Sequence, residues 1–347
     1  MKWTSTEKRQ LLIFALIAFA LPYLLGILMG ISYFAGNDTS AFPNAQMYYP
    51  AAGVMLAMLL TRKHDPLLPR KFYTCFLVLT LALIAVCVLS VAMPTLPWAI
   101  WIQFVMIAGT LICWGFYFLD KKNCRTAYGL RLTKTGGSNP AIMVILFVVL
   151  YFARILLAGG LAYLFDPASV SGESEINTTL FVINLVALPI NFFLVFTAFF
   201  GEEYGWRGFL QPLLQKRFGP RKGIIILGLL WGIWHLPINC FFYSPQTWYL
   251  SILNQLFLCV CYSVFFGFAY QKTKTIWVPV IIHFINNNAI TLFASADSIQ
   301  NQVLTLSSIL LGFVSLGILY LPFFASNVFR SNSEFQPAAF PFFEENE

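Results

Sequence analysis

The chain has 347 residues, of which 59% are hydrophobic and only 10% charged, with a mean hydropathy of +0.75. Soluble domains carry roughly 25% charged residues, so this composition excludes an ordinary soluble domain and defines a polytopic membrane protein. The formal net charge is +7, and the positions of the basic residues explain it by topology, leaving nucleic-acid binding without support. A spanning helix needs about 20 mostly apolar residues. On that ruler the chain holds ten spans, near 10–34, 46–61, 72–93, 98–119, 140–164, 180–200, 223–243, 249–270, 276–295 and 303–325, the second of them short. Runs of this length predict an all-α, polytopic transmembrane bundle rather than a barrel, whose strands alternate over about 10 residues.

If every span crosses and the N-terminus is cytoplasmic, the inside segments hold Lys2 to Arg9, Arg62 to Lys71, Lys121 to Lys134, Arg207 to Lys222, Lys272 to Lys274, and Arg330. Those segments contain every Lys and Arg except Arg154, which lies inside the fifth span. The positive-inside rule then sets both termini in the cytoplasm. Arg154 has no acid in its own span and reads as interhelical glue. The apolar run of the first span continues through Tyr33, too far for the core of a cleavable signal peptide. The seven cysteines lie in spans or in an inside loop, so no structural disulfide is expected. Three regions follow: N-terminal transmembrane helices over 1–139, a second set over 140–330 that carries the polar motifs, and a disordered cytoplasmic tail over 331–347. His64 falls in a basic loop and reads as a solvated residue.

The first motif is Glu202-Glu203-x-x-x-Arg207, flush against an apolar run. Two adjacent carboxylates in that position are costly in a membrane and are usually kept for function. Glu203 and Arg207 are spaced i,i+4 with the acid first, the better orientation for an ion pair. Glu202 is rotated about 100° from its neighbour and is free to face a cavity. Next comes Trp231-Gly-Ile-Trp-His235, with Trp231 and His235 on one helical face. Gly228 and Gly232 form a small-xxx-small pair that admits a close neighbour, and Pro237 predicts a kinked or partly unwound backbone. The third motif is His283-x-x-x-Asn287, again i,i+4, inside the unusual run Asn286-Asn287-Asn288. Polar packing between helices is the plain explanation of each motif alone. Together a carboxylate base, an imidazole and neutral donors form a water-activating hydrolytic set. The chain has no Gly-x-Ser-x-Gly and no His-Glu-x-x-His, which disfavours serine and zincin mechanisms.

At these residues the sequence resembles the CPBP (Abi) family of type II CAAX prenyl proteases and bacteriocin-processing enzymes. Its motifs are Glu-Glu-x-x-x-Arg, Phe-x-x-x-His and His-x-x-x-Asn/Asp, and they occur here in the family's order over roughly residues 180–295. The one departure is Trp231 where the family has phenylalanine. The resemblance implies an intramembrane endopeptidase acting on peptides or proteins at the membrane, lipidated ones included. It further implies catalytic roles for Glu202, His235, His283 and Asn287: Glu202 activates water with His235, and His283 and Asn287 stabilise the oxyanion. Glu203, Arg207 and Trp231 would support the site. No cofactor is expected on this reading; the alternative is zinc held by Glu202, His235 and His283. The flanking Trp206 to Pro212 is similar to bacterial members, which suggests a bacterial cell membrane; because Glu202 lies at the inside end of its span, the site is expected to open to the cytoplasm. The competing classes are a non-proteolytic immunity or scaffold protein and a proton-coupled transporter.

Overall fold

A computed structural model describes residues 2–132, 137–165, 167, 178–293 and 296–330, and among these every regular element is helical. Each apolar run forms a helix: α1 Ser5–Phe34, α2 Tyr49–Thr61, α3 Arg70–Ala92, α4 Trp98–Leu119, α5 Pro140–Phe165, α6 Phe181–Phe218, α7 Pro220–Trp234 with the bent continuation Leu236–Tyr243, α8 Pro245–Thr273, α9 Trp277–Asn288 and α10 Leu306–Ala325. Among the described residues seven are long and apolar enough to cross a membrane, or up to eight if the bent pair is one span. The difference from the expected ten lies in α2 and α9, which hold 13 and 12 residues. At 1.5 Å per residue they reach only about 20 Å, against a hydrocarbon core of ~30 Å. Their apolar character serves packing inside the protein: nine of the α2 residues are buried.

Residues on both sides of position 139 share one buried apolar cluster. Phe72 of α3 packs against Tyr117 of α4 and Phe200 of α6, and Phe200 meets Trp277 of α9. Trp114 of α4 lies 4.1 Å, centroid to centroid, from Phe196 of α6. Edge-on aromatic contacts of this kind add specificity to plain burial. On the other flank, α7 and α8 approach backbone to backbone. A Cβ on Gly228 would sit 2.6 Å from Val260 Cα, and one on Gly232 2.8 Å from Leu256 Cα. The small-xxx-small pair therefore does what its spacing predicts.

The basic segments gather at one end of the bundle. Trp3 Nε1 donates to the Leu213 carbonyl at 3.0 Å, and Lys216 pairs with Glu7 at 2.8 Å. Arg221 lies over the ring of Phe324, 5.5 Å from its centroid. Both described chain ends therefore sit at the same end of the molecule. The opposite end is closed by segments without Lys or Arg. Asn301 and Gln302 donate backbone N–H groups to the carbonyls of Phe242 and Tyr243, and Thr39 donates to Phe241. All seven cysteines are free, His64 is exposed, and the tail 331–347 lies outside the described residues.

Candidate active site

Glu202 and Glu203 fall where α6 passes from α-helix into a π-helical turn, Tyr204–Leu210. Such wide turns recur at functional sites because they re-aim side chains inside a continuous helix. Neither residue ends a span, since α6 continues to Phe218. Arg207, expected in an inside loop, is fully buried in the helix interior. The loop assignment failed because an arginine paired within its own helix can enter the core without marking a boundary.

The two carboxylates have different surroundings. Glu203 Oε1 accepts from Arg207 Nη1 at 2.9 Å, the contact their spacing predicts, and also from His283 Nδ1 at 2.7 Å. The guanidinium lies over Trp231 and Phe266, 4.2 and 4.9 Å from the ring centroids, so aromatic faces take part of its charge. Glu202 Oε2 instead accepts from the indole N–H groups of Trp231 at 2.8 Å and Trp206 at 3.3 Å. Its Oε1 has no protein hydrogen-bond partner, and the residue lines a cavity of about 530 Å³. Tryptophan in place of the phenylalanine of the motif thus supplies a donor that phenylalanine lacks.

His235 occupies the break between the two halves of α7, which bend by 41°. That is the kink Pro237 predicts. His235 Nδ1 lies 2.8 Å from the Trp231 carbonyl, so it carries the proton there and leaves Nε2 as an acceptor. The freed backbone is held by Asn239, whose Nδ2 donates to the His235 carbonyl at 3.0 Å while its Oδ1 accepts from Ser251 at 2.6 Å. His283 lies on α9, edge-on to Phe199 and Trp231. Because an ionised carboxylate only accepts, the Nδ1 of His283 donates to Glu203, and its Nε2 has no protein partner.

Glu202, His235, His283 and Asn287 all line the one cavity. Asn287 stands apart in exposure: the first three are buried and it is exposed, with its Oδ1 accepting from Asn286 at 2.9 Å. Two features escaped the sequence reading, the bond from His283 to Glu203 and the donor from Trp206. Neither carries a spacing signal across helices, although Trp206 is i,i+4 from Glu202. Among the described residues no three His, Cys, Asp or Glu side chains are grouped to hold a metal ion. The Nδ1 of His235 faces a backbone carbonyl and that of His283 a carboxylate, which leaves Nε2 as the outward nitrogen of each ring.

The cavity lining also includes Asn44, Gln302 and Leu304, from the end of the bundle whose segments lack Lys and Arg.

The fold and site define a polytopic helical membrane protein with a buried carboxylate–histidine centre facing an internal cavity. Residues 184–289 match the family described as Type II CAAX prenyl endopeptidase Rce1-like. A curated relative, CAAX prenyl protease 2 of Methanococcus maripaludis, is 31% identical over 112 residues, which cover 29% of this chain and 39% of the relative. The alignment thus spans well under half of that protein's length. These findings support the CPBP, or CAAX protease, family for a segment that contains all three motifs.

Proposed function

We propose that the protein is an intramembrane endopeptidase that hydrolyses peptide bonds of membrane-associated substrates, lipidated ones included, with a water activated by Glu202. The observation that carries this reading is the unpartnered Oε1 of Glu202 on a cavity wall shared with both histidines. Water held between Glu202 Oε1 and His235 Nε2 attacks the scissile carbonyl carbon. Glu202 takes one proton of that water and later gives it to the departing amine as the C–N bond breaks. The two indole donors hold the carboxylate in one orientation, so no rearrangement is needed at the moment of attack. His283 donates to the oxyanion through Nε2, which requires a second proton on the ring because Nδ1 is given to Glu203. The carboxylate of Glu203 is placed to offset that charge. Asn287 Nδ2 is the second donor from the same helix.

The cavity suits a peptide held in hydrocarbon, since Phe199, Trp231, Trp234, Ile238 and Leu258 make much of its wall. Among the described residues Glu202 is the sole carboxylate of that lining, whereas a proton-coupled transporter would distribute acids along its path. By the charge rule, the end to which the cavity extends is the outer one, so the substrates we favour present their cleavage site at or beyond the membrane midplane from that side. The deciding experiment uses the purified chain in lipid nanodiscs with a library of lipidated and plain peptides, read by mass spectrometry. Cleavage by the wild type and its loss in Glu202→Gln are expected. Products of equal yield from both proteins would refute the reading.

A further inference from the structure

Arg154 lies midway along α5, outside the segment matched to the family, and its side chain lines the same cavity as Glu202 and His283. A guanidinium at such depth is costly and is ordinarily paired with a carboxylate or with backbone carbonyls. Near helix ends a long side chain escapes by reaching to the interface, but the middle of a 26-residue helix offers no such route. Among the described residues no carboxylate lies within 4.0 Å of Arg154, and its Nε is buried without a hydrogen-bond partner. Its neighbours are the phenols Tyr151, whose ring centroid is 5.5 Å from Cζ, Tyr262 and Tyr320. Aromatic faces and hydroxyls soften a positive charge without neutralising it.

The contrast with Arg207 sharpens the point. That arginine is fully buried, is balanced by Glu203 and lines no cavity. The chain supplies an acid to the buried arginine and leaves the half-buried one on the wall of the space where substrate would lie. We infer that Arg154 is an anion subsite of the cavity and takes a carboxylate borne by the peptide substrate, at its C-terminus or on an acidic side chain. The inference rests on the endopeptidase reading for what fills the cavity. The planar fork of a guanidinium fits both oxygens of a carboxylate.

The test uses the purified chain in nanodiscs of neutral phosphatidylcholine and one cleavable peptide in three forms: a free C-terminal acid, a C-terminal amide, and the amide with an internal Glu in place of Gln. Wild type is expected to favour one of the acidic forms by about ten- to hundred-fold in kcat/KM, the span of a charge-assisted hydrogen bond, and to do so through KM. Which acidic form gains identifies the source of the carboxylate. In Arg154→Gln the acid-to-amide ratio falls toward one, while Arg154→Lys, which keeps the charge without the fork, retains part of it. If the glutamine variant does not fold, the wild-type ratio and the lysine variant decide. Equal handling of acid and amide by wild type, or a preference that survives Arg154→Gln, overturns the assignment. So does an outcome in which phosphatidylglycerol raises the melting temperature of wild type but not of Arg154→Gln while acid and amide behave alike, because the anion is then a lipid. Binding of the same peptides to Glu202→Gln separates the two claims. Tight, acid-selective binding without cleavage by wild type would refute the endopeptidase reading and leave the subsite standing.

Discussion

The walls around Glu203 and Glu202 are built from the same helices and differ in what engages each carboxylate: a guanidinium and an imidazole at Glu203, two indoles and a cavity at Glu202. Around Glu203, one carboxylate oxygen gathers Arg207 and His283, and the guanidinium is covered by Trp231 and Phe266. Around Glu202, one oxygen is fixed by two indoles and the other faces the cavity. Adjacent residues on a helix differ by about 100° in direction, and that rotation turns Glu203 toward Arg207 and Glu202 toward the cavity. A buried ion pair gives little net stability but is expensive to break.

The strongest way to break this contrast is to exchange the two acids in turn. Glu202→Gln is expected to lower peptide hydrolysis by about 10²- to 10⁴-fold, the range for a general base. Its melting temperature should stay close to wild type, because the amide oxygen still accepts from the indoles. If Glu203→Gln abolished turnover while Glu202→Gln left it intact, the roles would be reversed. Arg207→Ala should cost on the order of 3–5 kcal/mol by leaving Glu203 buried and without its cation, as read from denaturant unfolding in detergent. A loss under about 1 kcal/mol would show that His283 alone compensates the acid.

Trp231→Phe sharpens the comparison, since it restores the residue of the family motif and removes one donor to Glu202. A roughly ten-fold or larger fall in kcat, with KM little changed, is expected from the loss of a hydrogen bond to a charged group. Unchanged kcat would mean that Trp206 suffices to orient the base. Smaller again is Gly228→Ala, whose new methyl would meet Val260 and loosen the contact of α7 with α8. It should cost about 1–3 kcal/mol of stability and displace His235 only slightly. The smallest expected effect is that of exhaustive chelation, which should leave turnover unaltered. Activity lost to a chelator and restored by added zinc would make Glu202, His235 and His283 ligands and move the base elsewhere.

Much of the site is legible in the chain because its contacts are local. Glu203 with Arg207, and the ring of His235 on the carbonyl of Trp231, are all i,i+4 relations that a helix enforces wherever it is placed. The glycines at 228 and 232 and the proline at 237 likewise act on their own helix, so close packing and the bend at His235 follow from type and spacing. Hydropathy located ten helical runs, of which α2 and α9 are shorter than a spanning length and apolar through burial against protein. A hydropathy ruler cannot separate lipid-facing from protein-facing apolar surface.

The chain by itself determined that this is an all-helical membrane protein, that its polar residues cluster in three motifs, and that Glu203 rather than Glu202 pairs with Arg207. Tertiary structure alone decided that His283 leans on Glu203, that the indole of Trp231 reaches Glu202 from another helix, and that Arg154 joins the same cavity from a helix outside the motifs. It also brought segments from the end of the bundle without basic residues into the lining of that cavity. The physical reason is that spacing encodes neighbours along one helix, whereas contacts between helices depend on their rotation and crossing. Those are set by side-chain packing summed over the whole bundle.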